Sequence, residues 1–341
     1  MSYEEVEVLL RKLCGADGTS GAEGNAATLA CELLNEYMPA QFDALGNIIG
    51  FSGEGRSILL DAHIDQIGLI VTAVDEDGFV RVAAVGGADR RVMPAARVTI
   101  HGKEKIPGVV TSTPPHLAGP DDEGKVPPFD KITIDIGMTK EQADLLVSPG
   151  DRITMNGSFI RLAGNRIASP CVDDRAGVAS VLRCLQLLKG KKTCKLDVMF
   201  SAQEETGGSG AATGAFNAQS DEAIAIDVTF AKAPDTGSGI FANLGDGALV
   251  GYGPSLDYAM SKKLSSIARE NGIASSPEAM GGRTGTNGDD IQTAGKGIRT
   301  ALISIPIRNM HTAVEVVDLA DIEETARLLA AYILERSAND A

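Results

Sequence analysis

Seven polar side chains, far apart along the chain, carry the chemistry it could do: His63, Asp65, Asp173, Glu204, Glu205, Asp227 and His311. Each falls at the end or edge of a stretch that reads as a β-strand. Two of the chain's four histidines, with carboxylates at four strand ends, are the ligand types of divalent cations such as zinc or cobalt. His63 and Asp65 form a His-x-Asp pair. An extended segment puts both on one face, so Asp65 can orient the imidazole. Asp173, with two oxygens, could bridge two cations, although Asp173-Asp174 ahead of an apolar helix also reads as a helix cap. Glu204-Glu205 precede Thr206-Gly207-Gly208-Ser209-Gly210, a turn that lets backbone and ligand approach closely. Taken singly these residues read as caps, solvated turns and a hydrogen-bonded core histidine. Their recurrence at successive strand ends points to a metal site.

Strands must deliver these groups. Residues 57–60 form an apolar run ending in Asp61-Ala62-His63-Ile64-Asp65. Residues 196–200 lead to the two glutamates, 223–226 to Asp227, and 300–305 toward His311. Carboxyl ends of strands are where α/β sheets place their ligand sites. Apolar spacing predicts helices over 6–13, 26–37, 175–188, 258–271 and 322–336. This alternation predicts an α/β fold with a mixed sheet flanked by helices. From Gly68 the texture changes. Short β-like runs at 69–74, 80–85, 97–101, 109–112, 132–136 and 152–155, separated by Gly, Pro and Asp, predict a small β-barrel-like unit with little helix. The stretch from Pro114 to Pro128 reads as loop. The expected division is a discontinuous catalytic domain, 1–67 and 164–341, interrupted by a β-rich insertion, 68–163.

Composition bounds the partners. The chain has 341 residues, long enough for a sizeable core, and a formal net charge of −15. Nucleic acid is excluded as an expected partner, because such binding rests on clustered Lys and Arg. Cys14, Cys31, Cys171, Cys184 and Cys194 are scattered without a CxxC pair, which reads as reduced intracellular cysteine. The start, MSYEEVEVLLRKL, is acidic where a signal peptide is basic, and no charge-free run approaches 18 residues. The expectation is a soluble, cytoplasmic protein without a membrane partner.

Five segments in order carry a resemblance: AHID at 62–65, VDDRAG at 172–177, QEETGGSGA at 203–211, AIDVT at 225–229 and IPIRNMHT at 305–312. Flanking matches are SGAEGN at 20–25, LGNIIG at 45–50, PPHLAG at 114–119 and VEVVDLADI at 314–322. Together they resemble the tetrahedral (TET) aminopeptidase family of dinuclear metallopeptidases, which includes glutamyl and deblocking aminopeptidases. The resemblance implies two divalent metal ions per subunit, zinc or cobalt. His63 and Asp227 would hold one, Glu205 and His311 the other, and Asp173 would bridge them. It further implies a cis peptide bond between Asp173 and Asp174. Asp65 would support His63, and Glu204 would act as general base, taking a proton from the attacking water and returning it to the leaving amine. The substrates implied are short peptides, cleaved at the amino terminus. The assembly implied is a dimer built into a hollow tetrahedral dodecamer, with the inserted domain supplying dimer contacts. Two departures stand out. The family's Thr-Asp-Ala reads Thr286-Asn287-Gly288, and an aromatic residue two places before the last histidine is Asn309. Neither is a presumed ligand, so both are expected to affect substrate choice more than catalysis.

Other readings compete. A related dinuclear carboxypeptidase or aminoacylase would need a cation for the substrate's carboxylate, whereas an aminopeptidase needs acceptors for a free amine. A glucanase could use Glu204-Glu205, but its carboxyls must flank the bond about 5–9.5 Å apart, and the histidines would then have no role. A binding protein that kept the fold and lost the chemistry would be expected to lose a ligand or the base. His101 and His116 read as structural residues of the insertion, Cys171 as a packed residue rather than a sulfur ligand, and Asp289 and Asp290 as a solvated turn.

Overall fold

Helix α1 (Glu4–Cys14) buries Val6, Leu9, Leu10 and Leu13, the spacing of one helical face. It is followed by α2 (Gly24–Asn35) and a hairpin of β1 (Ala40–Phe42) with β2 (Ile48–Ser52). The hairpin turn is closed by Asp43, whose carboxylate accepts from the backbone N–H groups of Leu45 and Asn47. β3 (Ser57–His63) is buried at every position, as a central parallel strand must be. These coordinates are a computed structural model that describes residues 3–117, 119, 125–234, 236, 237, 239 and 242–339.

The chain then leaves the sheet. β4 (Gly68–Val74), β5 (Val80–Val85), β6 (Arg97–His101), β7 (Lys105–Val110), β8 (Thr133–Asp135) and β9 (Arg152–Met155) close a barrel in the order β4-β5-β8-β7-β6-β9. Alternate residues fill it: Leu69, Val71, Val80, Val82, Val98, Ile100 and Ile153 form a core separate from that of the large sheet. The seven-residue α3 (Lys140–Leu146) also lies here, announced only by the capping box of Thr139 and Gln142. The sequence reading missed it because it buries only Ala143 and so shows no apolar stripe. Ala118 of the PPHLAG motif and residues 120–124 of the expected loop lie outside the described residues.

β10 (Ile160–Arg161) and β11 (Arg166–Ser169) return to the large sheet, followed by α4 (Val172–Leu188), β12 (Lys195–Ser201), α5 (Ser209–Ala218) and β13 (Glu222–Phe230). Next come β14 (Ala248–Tyr252), α6 (Tyr258–Glu270), β15 (Ser275–Ala279), α7 (Gly288–Ile291), β16 (Arg299–Arg308), β17 (Glu315–Asp318) and α8 (Leu319–Asn339). Among the described residues the sheet has eleven strands, in the order β1-β2-β12-β3-β13-β16-β17-β11-β10, with β14 against β16 and β15 against β14. Its centre, β12-β3-β13-β16, is parallel. Ile58, Leu60 and Ala62 pack with α1, α2, α4 and α8 on one face, and Leu59 with α5 and α7 on the other. The fold is therefore a mixed α/β sheet flanked by helices, with a closed barrel between β3 and β10. Helix α5 was not legible in its Gly-rich sequence. A Cβ at Gly210 would meet the Ala202 carbonyl oxygen at 2.2 Å and one at Gly214 the Met199 sulfur at 2.2 Å, so the glycines serve helix–sheet approach. No disulfide joins the five buried cysteines, and no helix among the described residues is long and apolar enough to cross a membrane.

Candidate active site

The parallel strands end together, and their carboxyl ends deliver the polar residues. Ser201 pairs in register with His63, and Asp227 with Ser304. His63 closes β3, Asp227 projects from β13, Glu204 and Glu205 follow β12, and Asp173 enters at the start of α4. His311 follows β16 in a turn where Asn309 and His311 both take positive φ, 57° and 63°. Asn tolerates that region better than most residues, which gives Asn309 a backbone role, and its amide donates to the Val314 carbonyl. The peptide bond Asp173–Asp174 is cis.

Asp173 is the centre of the cluster. Its Oδ1 lies 2.9 Å from His63 Nε2, and its Oδ2 lies 3.3 Å from His311 Nε2. Asp227 Oδ1 is 3.9 Å from His63 Nε2, and Glu205 Oε2 is 3.5 Å from His311 Nε2. Two candidate cation sites result, His63–Asp173–Asp227 and Asp173–Glu205–His311, sharing Asp173, with ligand atoms in each within 4.8 Å of one another. Glu205 Oε1 is buried without a partner. The donor set fits a pair of borderline-soft divalent cations, since each site offers one imidazole and two carboxylates.

Two buried carboxylates hold this cluster in shape. Asp65 Oδ1 and Oδ2 accept from the backbone N–H groups of Glu204 and Glu205 at 3.0 and 3.1 Å, and Oδ1 also lies 3.3 Å from His63 Nδ1. One aspartate thus fixes an imidazole and the turn bearing both glutamates. Glu315 does the same opposite: its oxygens accept from the backbone N–H groups of Asp173 at 3.0 Å and His311 at 2.7 Å. Glu315 lies within VEVVDLADI, where sequence alone assigns it no role. The signal was a charged residue in an apolar strand four places after His311. Gly87 contributes its carbonyl to His311 Nδ1 at 3.0 Å, so the segment after barrel strand β5 touches the site.

The electrostatics follow from burial and crowding. Burial pushes Glu205 up to about 8 and Glu204 upward, and it drives Asp227 well above the carboxylate range. Burial would lower His63, but bonds with Asp173 and Asp65 override it and hold the imidazole well above its ordinary value. The bond with Asp173 raises His311 to about 9. Burial opposes ionisation of Asp173, yet the two histidines win and hold it well below the usual range.

A cavity of about 450 Å³ opens on the cluster, with Asp173, Glu204, Glu205, Asp227 and His311 at one end. Asn287 is not among its lining residues. It is buried beneath, donating to Asp61 Oδ2 at 2.9 Å and Ser201 Oγ at 2.7 Å. Its expected influence on substrate choice therefore has no direct contact behind it. Asp289 Oδ2 accepts from Gly285 N and faces Arg283 in a turn. His101 bonds Thr154 in the barrel, away from the cluster, and Cys171 is packed with its carbonyl facing the Cys14 thiol.

An α/β sheet gathering histidines and carboxylates at its strand ends, with a barrel inserted between strands and a cavity opening on the cluster, has the donors of a candidate metal-binding active site. Residues 46–328 match the M42 glutamyl aminopeptidase family, and the chain belongs to it. It is similar to the lysyl aminopeptidase of Pyrococcus furiosus, 32% identical over 338 residues covering 96% of each chain. An aminopeptidase from the archaeon Desulfurococcus kamchatkensis is similar in structure, with TM-score 0.91, 31% identity, and 98% of this chain and 95% of that one covered. The TET1 peptidase of Pyrococcus horikoshii, described as assembling into a tetrahedron or a large octahedral shell, matches with TM-score 0.85 and 31% identity over 96% of this chain and 99% of that one. The protein is thus an aminopeptidase, of a family of divalent-metal peptidases.

Proposed function

We propose that this chain removes amino-terminal residues from short peptides using two divalent cations, zinc or cobalt. The observation that carries this reading is the pair of three-residue clusters sharing Asp173. His63 and Asp227 would hold one cation, Glu205 and His311 the other, with Asp173 between them. Cations held there by these residues would supply Lewis-acid polarisation of the scissile carbonyl and a lowered pKa for water. Glu204 lines the cavity beside the cluster, and burial raises its pKa, which suits a general base. It accepts the proton of the attacking water and returns it to the departing amine. Asp65 keeps His63 and the Glu204 backbone in place and does not itself exchange protons with substrate. The free α-amine finds acceptors in the surrounding carboxylates. No Lys or Arg is among the lining residues to hold a substrate carboxylate, which favours an aminopeptidase over a carboxypeptidase.

We further assign residues 1–67 and 164–341 to a catalytic domain and 68–163 to an inserted domain that mediates dimer contacts. Assembly into a tetrahedral dodecamer is proposed because TET1 relatives are described as a dodecamer and as assembling into a tetrahedron or a large octahedral shell. The test is hydrolysis of free-amine aminoacyl amides after chelation and after zinc or cobalt is restored, with Glu204→Gln alongside. Activity should vanish with the metal and return with it. Glu204→Gln should bind metal normally yet lose roughly 10²–10⁴-fold in kcat. Full activity in the stripped protein would overturn the metal reading, and a fully active Glu204→Gln would remove the base.

A further inference from the structure

Which side chain the enzyme accepts is not decided by kinship, since the family is named for glutamate and a close relative for lysine. The cavity itself carries more. Away from the carboxylate cluster its wall includes Phe230, Met280 and Met310, with Thr229 and Ser304 as polar positions. Thr229 stands two residues after Asp227 on β13, hence on the same face and about 6.5 Å further along. That displacement is close to the length of an extended lysine side chain.

Behind Thr229 stands Glu278, on β15; it is not itself a lining residue and reaches the cavity wall through its bond with Thr229. It lies two residues before Met280, which lines the cavity and extends the strand pairing through its N–H to the Tyr252 carbonyl. Glu278 therefore shares the face of Met280. Its Oε1 accepts from Thr229 Oγ1 at 2.5 Å, while its Oε2 is buried with no hydrogen-bond partner. Ser304, only 1% exposed, likewise has a buried and unpartnered Oγ, and it lines the same cavity. Among the described residues no cationic side chain satisfies Glu278 Oε2, and no Lys or Arg lines the cavity. Buried acceptors without donors are costly. A cationic N–H donor on an apolar stem satisfies both and is favoured by the carboxylate of Glu278: the ammonium of lysine with three donors, or the guanidinium of arginine.

We propose that Glu278 is a specificity-determining residue, with Ser304, and that the preferred substrates are peptides beginning with lysine or arginine. This rests on the aminopeptidase reading above and names its substrate class. A glutamyl side chain would meet a carboxylate of like sign and no cation. The aliphatic part of the basic side chain would lie against Met280 and Met310, while its charged end would meet Ser304 and, past Thr229, the carboxylate of Glu278.

The experiment measures kcat/KM of the metal-loaded protein on lysyl, arginyl, leucyl and glutamyl chromogenic amides. Lysyl or arginyl amide should exceed leucyl amide by about tenfold or more, and glutamyl amide by a larger factor. Glu278→Gln should cut the lysyl-to-leucyl ratio about tenfold, mainly through KM for the lysyl substrate, and Glu278→Lys should move preference toward glutamyl amide. Free lysine, leucine and glutamate are compared as competitive inhibitors of the unaltered enzyme, so the result does not depend on variants folding. Lysine should inhibit most strongly. Leucyl amide cleaved best, with lysine no better an inhibitor than leucine and the ratio unmoved in Glu278→Gln, would overturn the pocket assignment while leaving the aminopeptidase intact. No cleavage of any free-amine amide would instead overturn the aminopeptidase reading, and this proposal with it.

Discussion

At the scale of single residues, the candidate ligands compete for protons as well as cations. With Glu205 near 8 and His311 near 9, both carry protons at neutral pH in the metal-free protein, and binding a cation must displace them. Affinity should therefore climb as pH rises through 8 and 9 and fall on acidification toward 6. Metal titrations of chelator-stripped protein across that range check this, and a pH-independent affinity would contradict it. Asn287 leads to a second expectation. It donates to Asp61, a fully buried carboxyl that burial pushes up to about 7. Asn287→Asp removes two donated hydrogen bonds and sets two carboxyls against each other. It should cost on the order of 3 kcal/mol in denaturant unfolding. Adding Asp61→Asn should recover much of that, and an Asn287→Asp protein as stable as the parent would show that Asp61 and Asn287 are not coupled.

At the scale of elements, the strands bearing chemistry were legible, because each couples a buried apolar run to a polar end. β3, β12, β13 and β16 follow from that pattern to within a few residues. Five barrel strands were legible for a related reason, since short alternating runs between Gly and Pro have few other solutions; the run expected at 109–112 instead lies at Lys105–Val110, because Pro107 and Gly108 read as a break. What stayed hidden was short or atypical. α3 has no apolar stripe, α5 uses glycine where helices usually avoid it, and β14 and β15 form an outlying pair whose role depends on contact with β16. Glu278 lies on that pair and so escaped the sequence reading, as did the role of Glu315, since neither can be seen to share a site until the strands are assembled. Glu315 joins two elements at once, holding the start of α4 and the turn after β16 by their backbone N–H groups. Glu315→Gln keeps the volume but turns an amide N–H₂ toward a backbone donor. It should weaken metal affinity about 10–100-fold, as changes to groups supporting ligands do, read as metal retained after dialysis. Retention equal to the parent protein would show that the ligands are positioned without it.

At the scale of the whole molecule, the barrel is both a separate core and a neighbour of the site. Gly86 and Gly87 follow β5 and pack against Glu205 and His311; a Cβ at Gly87 would lie 2.5 Å from His311 Nδ1. Whatever holds the barrel in place thus bears on the ligands, and proposed dimer contacts through it would couple assembly to metal retention. In a lone subunit the cavity of about 450 Å³ has Phe230, 60% exposed, among its lining residues. The proposed restriction to short peptides would then come from enclosure in the proposed assembly. Light scattering should give a mass of about 425 kDa for twelve copies of the 35.4 kDa chain. The same preparation should cleave short peptides while sparing folded proteins with exposed amino termini. A subunit-sized particle that nonetheless discriminates by substrate length would contradict this, because selectivity would then reside in the 450 Å³ cavity rather than in enclosure.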